Sequence, residues 1–249
     1  MEQILILVLA GLAAGALNAV AGGGTFISFP ALVWTGVPPI SANATATLAA
    51  LPGYLSSAWA FRHELRHRGP MGMRAVLVAA VLGGFLGAML LLATPQKLFA
   101  GVVPWLLLLA TSVFAFGPAL LKSLRRGGRS LSFPVAFALL LAVTIYGGYF
   151  NGGLGIMLLA AFGLIGFTDL HAMNGLKNLV SAVLSLVSVA TYAAAGLIDW
   201  HAVLVLGLAS ATGGWLGAHL SKRITNIALL RAFILLVGLG MAVVFFLRG

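Results

Sequence analysis

Lys177 stands near the start of the run "HAMNGLKNLVSAVLSLVSVA", with Asn174 three residues before it and Asn178 directly after. Positions three and four apart share a helix face. In a helix, Asn174 and Asn178 therefore pair up and Lys177 leans the same way. One ammonium flanked by two amides suits a small anion, because it offers charge attraction and donors for several oxygen atoms. The chain has only four acids, Glu2, Glu64, Asp169 and Asp199, each at a terminus or in an expected loop. None is placed to pair with Lys177. Two readings stay open: the ammonium meets an anionic substrate, or its stem carries it to a polar boundary about 8 Å away by helical rise.

A second polar set, "SANATAT", repeats the i, i+4 pair as Asn43 and Thr47, with Ala46 where the other set has its lysine. Thr45 lies between them. Ser41, Thr45 and Thr47 can equally bond back to carbonyls of their own helix. Two glycine runs complete the inventory: Gly22, Gly23 and Gly24, flanked by Asn18 and Thr25, and Gly152 with Gly153, preceded by Asn151.

The elements that must position these residues follow from composition. Of 249 residues 61% are hydrophobic and 7% charged, against about a quarter charged in a soluble domain. Apolar runs of bilayer-spanning length recur throughout, so the chain is expected to be one all-α integral membrane domain, 1–249. The net charge of +10 gathers at Arg62 to Arg74, Lys122 to Arg129 and Lys222 to Arg231. All three clusters fall in or beside gaps between apolar runs, where basic residues mark the cytoplasmic side. The charge speaks for topology and against nucleic acid. There is no cysteine, which excludes disulfides and thiolate metal sites. The start "MEQILILVLAGLAAGAL" has no basic leader, so no cleaved signal peptide is expected.

The chain is written twice. "GGFLGA" at Gly83 to Ala88 returns as "GGWLGA" at Gly213 to Ala218, and the glycine runs and polar sets recur at nearly the same offset. Repeat 1 covers about 1–121, a basic linker 122–129, and repeat 2 about 130–249. Each repeat begins with a glycine-interrupted stretch, 4–36 or 133–166, and continues with three plain helices, expected over 41–61, 75–93 and 98–121, then 172–197, 201–221 and 227–247. A stretch of 33 residues is about 50 Å long as one helix, too long for a hydrocarbon core of about 30 Å. The basic loops alternate oppositely in the two repeats: "FRHELRHRGPMGMR" answers "GLIDW", and "TPQK" answers "SKRITN". Equivalent loops then lie on opposite sides, an inverted repeat. Inversion needs an odd number of crossings per repeat, so each glycine-broken stretch is expected to fold back as a hairpin, with both termini outside.

A turn at membrane depth survives only when protein or a polar cavity satisfies its backbone. Glycine there supplies the positive φ and the close backbone approach such a turn needs, and free N–H groups near Gly24 and Gly155 favour an anion. "GGFLGA" and "GGWLGA" read as helix-packing glycines. Pro30, Pro38, Pro39 and Pro52 read as helix ends or kinks. His63 and His67 belong to "HELRH", which has the H-E-x-x-H spelling but lies in the basic loop, where both are read as solvated, and His171, His201 and His219 as a set show no metal-ligand spacing. No cofactor motif or G-x-S-x-G occurs. A membrane-embedded enzyme is disfavoured, and a channel or a carrier of a cation or neutral metabolite is the alternative. Small-residue faces can pack within one chain or between copies, so a homo-oligomer stays open.

In "NAVAGGGTFISFPALVWTGVPPISANATAT" and "GGYFNGGLGIMLLAAFGLIGFTDLHAMNGLKNL" the sequence resembles the sulfite exporter TauE/SafE family of membrane permeases. That resemblance implies two related halves and movement of sulfite, sulfonates or related organosulfur anions across the bacterial cytoplasmic membrane. It also implies that Gly22 to Gly24, Asn43, Thr45, Asn151 to Gly153, Asn174, Lys177 and Asn178 belong to the family's characteristic segments. The expected protein is a secondary transporter, an exporter by the family's description, that holds a small anion between the two hairpin turns and works by alternating access. Asn18, Thr25 and Thr47 complete the substrate-binding set.

Overall fold

A computed structural model describes residues 1–21, 23–62, 69–126, 131–221 and 227–248. Its regular elements are ten helices: α1 (Glu2–Ala21), α2 (Thr25–Trp34), α3 (Pro39–Ala60), α4 (Met73–Ala93), α5 (Gln96–Arg126), α6 (Phe133–Tyr149), α7 (Leu154–Ile165), α8 (Leu170–Ala194), α9 (Trp200–Ser221) and α10 (Ile227–Arg248). The all-α class expected from composition is the one observed, and the order is five helices followed by five more.

Each glycine-interrupted stretch breaks into a helix pair, α1 with α2 and α6 with α7. With 10 and 12 residues, α2 and α7 are about 15 and 18 Å long. Each is roughly half of what a bilayer core requires. Pro30 lies within α2, Pro52 within α3, and Pro38 and Pro39 open α3. Proline suits a first turn because its missing N–H has no partner there anyway. Helix α5 runs on through residues 122–126, the first part of the expected basic linker. "KSLRR" contains good helix formers and no breaker before Gly127, and the rest of the linker lies outside the described residues.

Among the described residues, three stretches are long and apolar enough to cross a membrane: Met73–Ala93, Gln96–Val113 and Ala172–Ala194. At 22 residues α3 has the length and is not among them. Its first turns carry Asn43, Thr45 and Thr47, all buried in protein. Leucines on α4, α9 and α10, such as Leu90, Leu208 and Leu236, are exposed, as lipid-facing side chains are.

Packing follows a pattern that exchanging the two sets of five helices preserves. Helix α1 lies along α9 and α4 along α6, while α3 crosses α8 and α5 meets α10. Gly11 opposes Ala209 and Gly15 opposes Gly214, so α1 and α9 run parallel. Helices α3 and α8 run antiparallel: Ala50 and Tyr54 pack on Ala182, while Thr45, nearer the start of α3, takes the N–H of Asp199 beyond the end of α8. Aromatic contacts fill the space beside the first hairpin, with Phe29 edge-on to Phe150 at 5.5 Å and stacked on Phe245 at 5.7 Å.

The glycines of "GGFLGA" are contact points, as expected. A Cβ on Gly87 would lie 2.6 Å from Gly148 C and Tyr149 N, and one on Gly84 would lie 2.8 Å from the Leu184 carbonyl oxygen. These neighbours are main chain and cannot turn aside. Gly87→Val is predicted to destabilise the protein by about 1–3 kcal/mol. Gly207→Ala, with nothing within 4 Å of the added carbon, is predicted to be neutral. Thermal unfolding in detergent distinguishes the two.

Candidate functional site

The two hairpin turns use glycine for different reasons. Gly24 has φ −58° and ψ −31°, an ordinary right-handed conformation. Gly23 is not left-handed either, and Gly22 lies outside the described residues. The positive φ expected of the first turn is thus not what the described glycines supply. Gly24 is needed for closeness: a Cβ there would strike the Ala14 carbonyl oxygen and approach its carbon to 3.1 Å. Its N–H reaches Asn18 Oδ1 at 3.4 Å. At the second turn Gly153 does have φ +73°, which L side chains rarely adopt. It is also tightly placed, since an added Cβ would come 2.8 Å from Ala110 Cβ and 3.2 Å from the Phe26 ring. Phe26 follows Thr25 in the first turn of α2. The two turns therefore meet.

Tyr54 of α3 joins them. Its hydroxyl donates to Asn151 Oδ1 at 3.3 Å and lies beside the side chains of Thr25 and Asn18 from the other turn. Asn151 is 1% exposed, and its Nδ2 donates to Ser185 Oγ on α8 at 3.4 Å. The Tyr146 hydroxyl donates to the Gly152 carbonyl at 2.6 Å. The backbone freed by the second break is thus held by tyrosine and amide groups of its own hairpin and of α3 and α8.

Below this junction lies a cavity of about 570 Å³. Asn18, Tyr54 and Asn178 line its polar part, and Pro52, Phe61 and Trp215 contribute apolar wall. Ser56, Ser57 and Phe61 extend it to the end of α3 that leads into Arg62 and the basic stretch. The cavity runs from the hairpin turns toward the side marked by positive charge.

Lys177 is 8% exposed, and its Nζ donates to Asn174 Oδ1 at 3.3 Å. The side chain is packed in protein beside its own helix partner, not extended over the outer surface. Asn178, the next residue, faces the cavity. Asn174 and Lys177 hold each other, and Asn178 is the member of that set that lines open space.

Asn43, Thr45 and Thr47 form a separate group. Asn43 Nδ2 donates to the Tyr149 carbonyl at 3.0 Å, Thr47 Oγ1 donates to the Asn43 carbonyl at 2.8 Å, and Thr45 Oγ1 accepts the Asp199 N–H at 3.0 Å. Thr47 therefore takes the back-bonded form that its position in a helix allowed. Counted by helical rise from the Ala50–Ala182 crossing, Asn43 sits about 10 Å to one side and Lys177 about 8 Å to the other. The structure gathers Asn18, Thr25, Asn151 and the turn glycines Gly23, Gly24, Gly152 and Gly153 into one place. It sets the Asn43 and Lys177 groups apart from each other.

A family model described as sulfite exporter TauE/SafE matches residues 7–245. The chain belongs to the TauE/SafE family. Among its relatives is a probable membrane transporter protein of Haemophilus influenzae, 34% identical over 231 residues, which cover 88% of this chain and 85% of that protein. Another is a probable membrane transporter protein, ORF9, of a Sinorhizobium species, 26% identical over 84% of this chain and 78% of the relative. No solved structure matches. This TauE/SafE chain is a multi-pass membrane transporter, and its described residues contain no cluster of ligands for a metal ion.

Reading the TauE/SafE sequence alone passed over several residues that the structure brings to the site. Ser181, Ser185 and Ser188 continue the face of α8 begun by Asn174, Lys177 and Asn178. The spacing of 3 and 4 was visible as a polar stripe. Ser188 Oγ donates to the Gly84 carbonyl at 3.0 Å. Tyr54 gave no such signal, because a lone tyrosine in an apolar helix also suits packing or a membrane interface. Tyr54→Phe leaves Asn151 Oδ1 buried without its donor, and the expected loss of stability is about 1–3 kcal/mol. A lowered unfolding temperature of the variant in detergent would establish the link.

Proposed function

We propose that the protein is a secondary transporter that carries a small anion, sulfite or an organosulfonate, by alternating access. The observation that carries this reading is the junction of the two hairpin turns at the head of the cavity, with the neutral amides of Asn18 and Asn178 and the buried ammonium of Lys177 one residue away. Among the described residues Lys177 has no carboxylate partner. A substrate anion would balance its charge. One positive charge with several uncharged donors suits a singly charged oxyanion, and the length of the cavity leaves room for an organic tail.

The antiparallel run of α3 and α8 supports an inverted repeat, with repeat 1 over about 1–121 and repeat 2 over about 130–249. In such carriers the substrate sits where broken helices meet, and one repeat rocks against the other. The cavity leads to the end of α3 that runs into Arg62, while Phe26, Phe150 and Leu107 are at most 1% exposed. That arrangement favours a carrier facing the cytoplasm over an open channel. The membrane is the bacterial cytoplasmic one, both termini lie outside, and the direction is export.

Uptake of labelled sulfite, sulfoacetate, taurine and thiosulfate into proteoliposomes tests the reading. At least one anion is expected to show saturable transport, and Lys177→Ala is expected to lower its transport efficiency about 10- to 100-fold through loss of a charge-assisted contact. Absence of saturable transport for all four would sink the substrate assignment. Undiminished transport by the variant would remove Lys177 from the site.

A further inference from the structure

Asn43 is fully buried, and while its Nδ2 is bonded to the Tyr149 carbonyl, its Oδ1 has no hydrogen-bond partner. A buried acceptor left unmet forfeits the hydrogen bond it had to water. The corresponding residue of the second set of helices is Asn174, whose Oδ1 accepts from the Lys177 ammonium at 3.3 Å. In the first set the lysine's position is held by Ala46, which is fully buried and uncharged. A cation meets the amide oxygen in one half, and the sequence supplies none in the other.

The surroundings of Asn43 favour positive charge. Helix α6 ends at Tyr149, and the chain is extended at Phe150, with φ −146°. The negative end of that helix therefore lies at Asn43. Asn43 is beyond the first turn of α3, where that helix's own positive end acts most strongly. Thr47 Oγ1, one turn along the same face, gives its proton to the Asn43 carbonyl and keeps its lone pairs. The C-terminal ends of broken membrane helices are where secondary transporters hold Na⁺, and amide and hydroxyl oxygens are ligands for such hard cations.

We propose that Asn43 Oδ1 and Thr47 Oγ1, at the end of α6, bind an alkali-metal cation that does in the first half what the Lys177 ammonium does in the second. Binding itself does not depend on the anion-carrier reading; its consequence, transport of the anion coupled to the cation, rests on that reading.

The purified full-length protein in detergent is heated in NaCl, KCl or choline chloride at equal ionic strength. Expected is a saturable rise in Tm of about 5 °C over choline at a hundredfold excess above Kd, with Na⁺, K⁺ or both. Thr47→Val, close in shape, is expected to weaken the cation response about 10-fold. Asn43→Asp, which keeps an oxygen and adds charge, is expected to strengthen it. Equal Tm in the three salts overturns the site, as does a cation response that persists unchanged in both Thr47→Val and Asn43→Ala. Anion uptake into proteoliposomes is measured alongside. A cation-dependent Tm without uptake of any tested anion supports the site and removes the carrier reading, whereas uptake with no cation effect on Tm does the reverse.

Discussion

Breaking a helix inside a bilayer leaves main-chain N–H and C=O groups where lipid offers them nothing. The organisation of this protein follows from meeting that demand twice. At the second break, Gly152 O is taken by Tyr146, Gly148 O by Tyr192 and Tyr149 O by Asn43, while Asn151 is held between Tyr54 and Ser185. At the first break Asn18 reaches across to Gly24. Asn43, Tyr54, Ser185 and Tyr192 among these partners come from α3 and α8, so the two helices cross where the turns meet. Helices α1 with α9 and α4 with α6 pack closely through glycine, so α3 and α8 can be enclosed and can afford polar side chains.

The same demand concentrates chemistry. Groups that satisfy a broken backbone are amides and hydroxyls, and the same groups recognise an oxyanion. The site and the structural repair share residues: Asn18 both contacts Gly24 N–H and lines the cavity, and Tyr54 both bridges the turns and faces open space. For the TauE/SafE fold this ties ligand recognition to the geometry of the hairpins, so that a movement of one turn relative to the other changes the site directly.

Much of this was legible in the sequence. The repeated "GGFLGA" and "GGWLGA", the excess length of the two glycine-broken stretches and the displaced basic loops lead to ten helices and to their order. Asn18, Asn151 and the turn glycines stand out because polar and small residues are conspicuous in an apolar chain. What stayed hidden depends on contacts between distant segments. Sequence spacing put Asn43 and Lys177 in matching positions, yet only the antiparallel crossing of α3 and α8 sets them on opposite sides of the centre. Gly24 could be recognised as necessary, but not that closeness to Ala14, and not a left-handed φ, makes it so. Tyr54 was indistinguishable from a packing aromatic until its hydroxyl was seen between the turns.

The polarity of α3 also bears on how the protein is made. Among the described residues α3, unlike α4 and α8, is not apolar enough along its length to rank as a membrane span, and the side chains of its buried Asn43 and Thr45 find partners at Tyr149 and Asp199. Those residues leave the ribosome about a hundred or more positions later. A segment that meets its polar needs only through later ones gains little by entering lipid alone. A chain truncated before α6 would lack Tyr149 and Asp199, the groups that meet the polar side chains of α3, so retention of α3 in the bilayer is coupled to arrival of the C-terminal half.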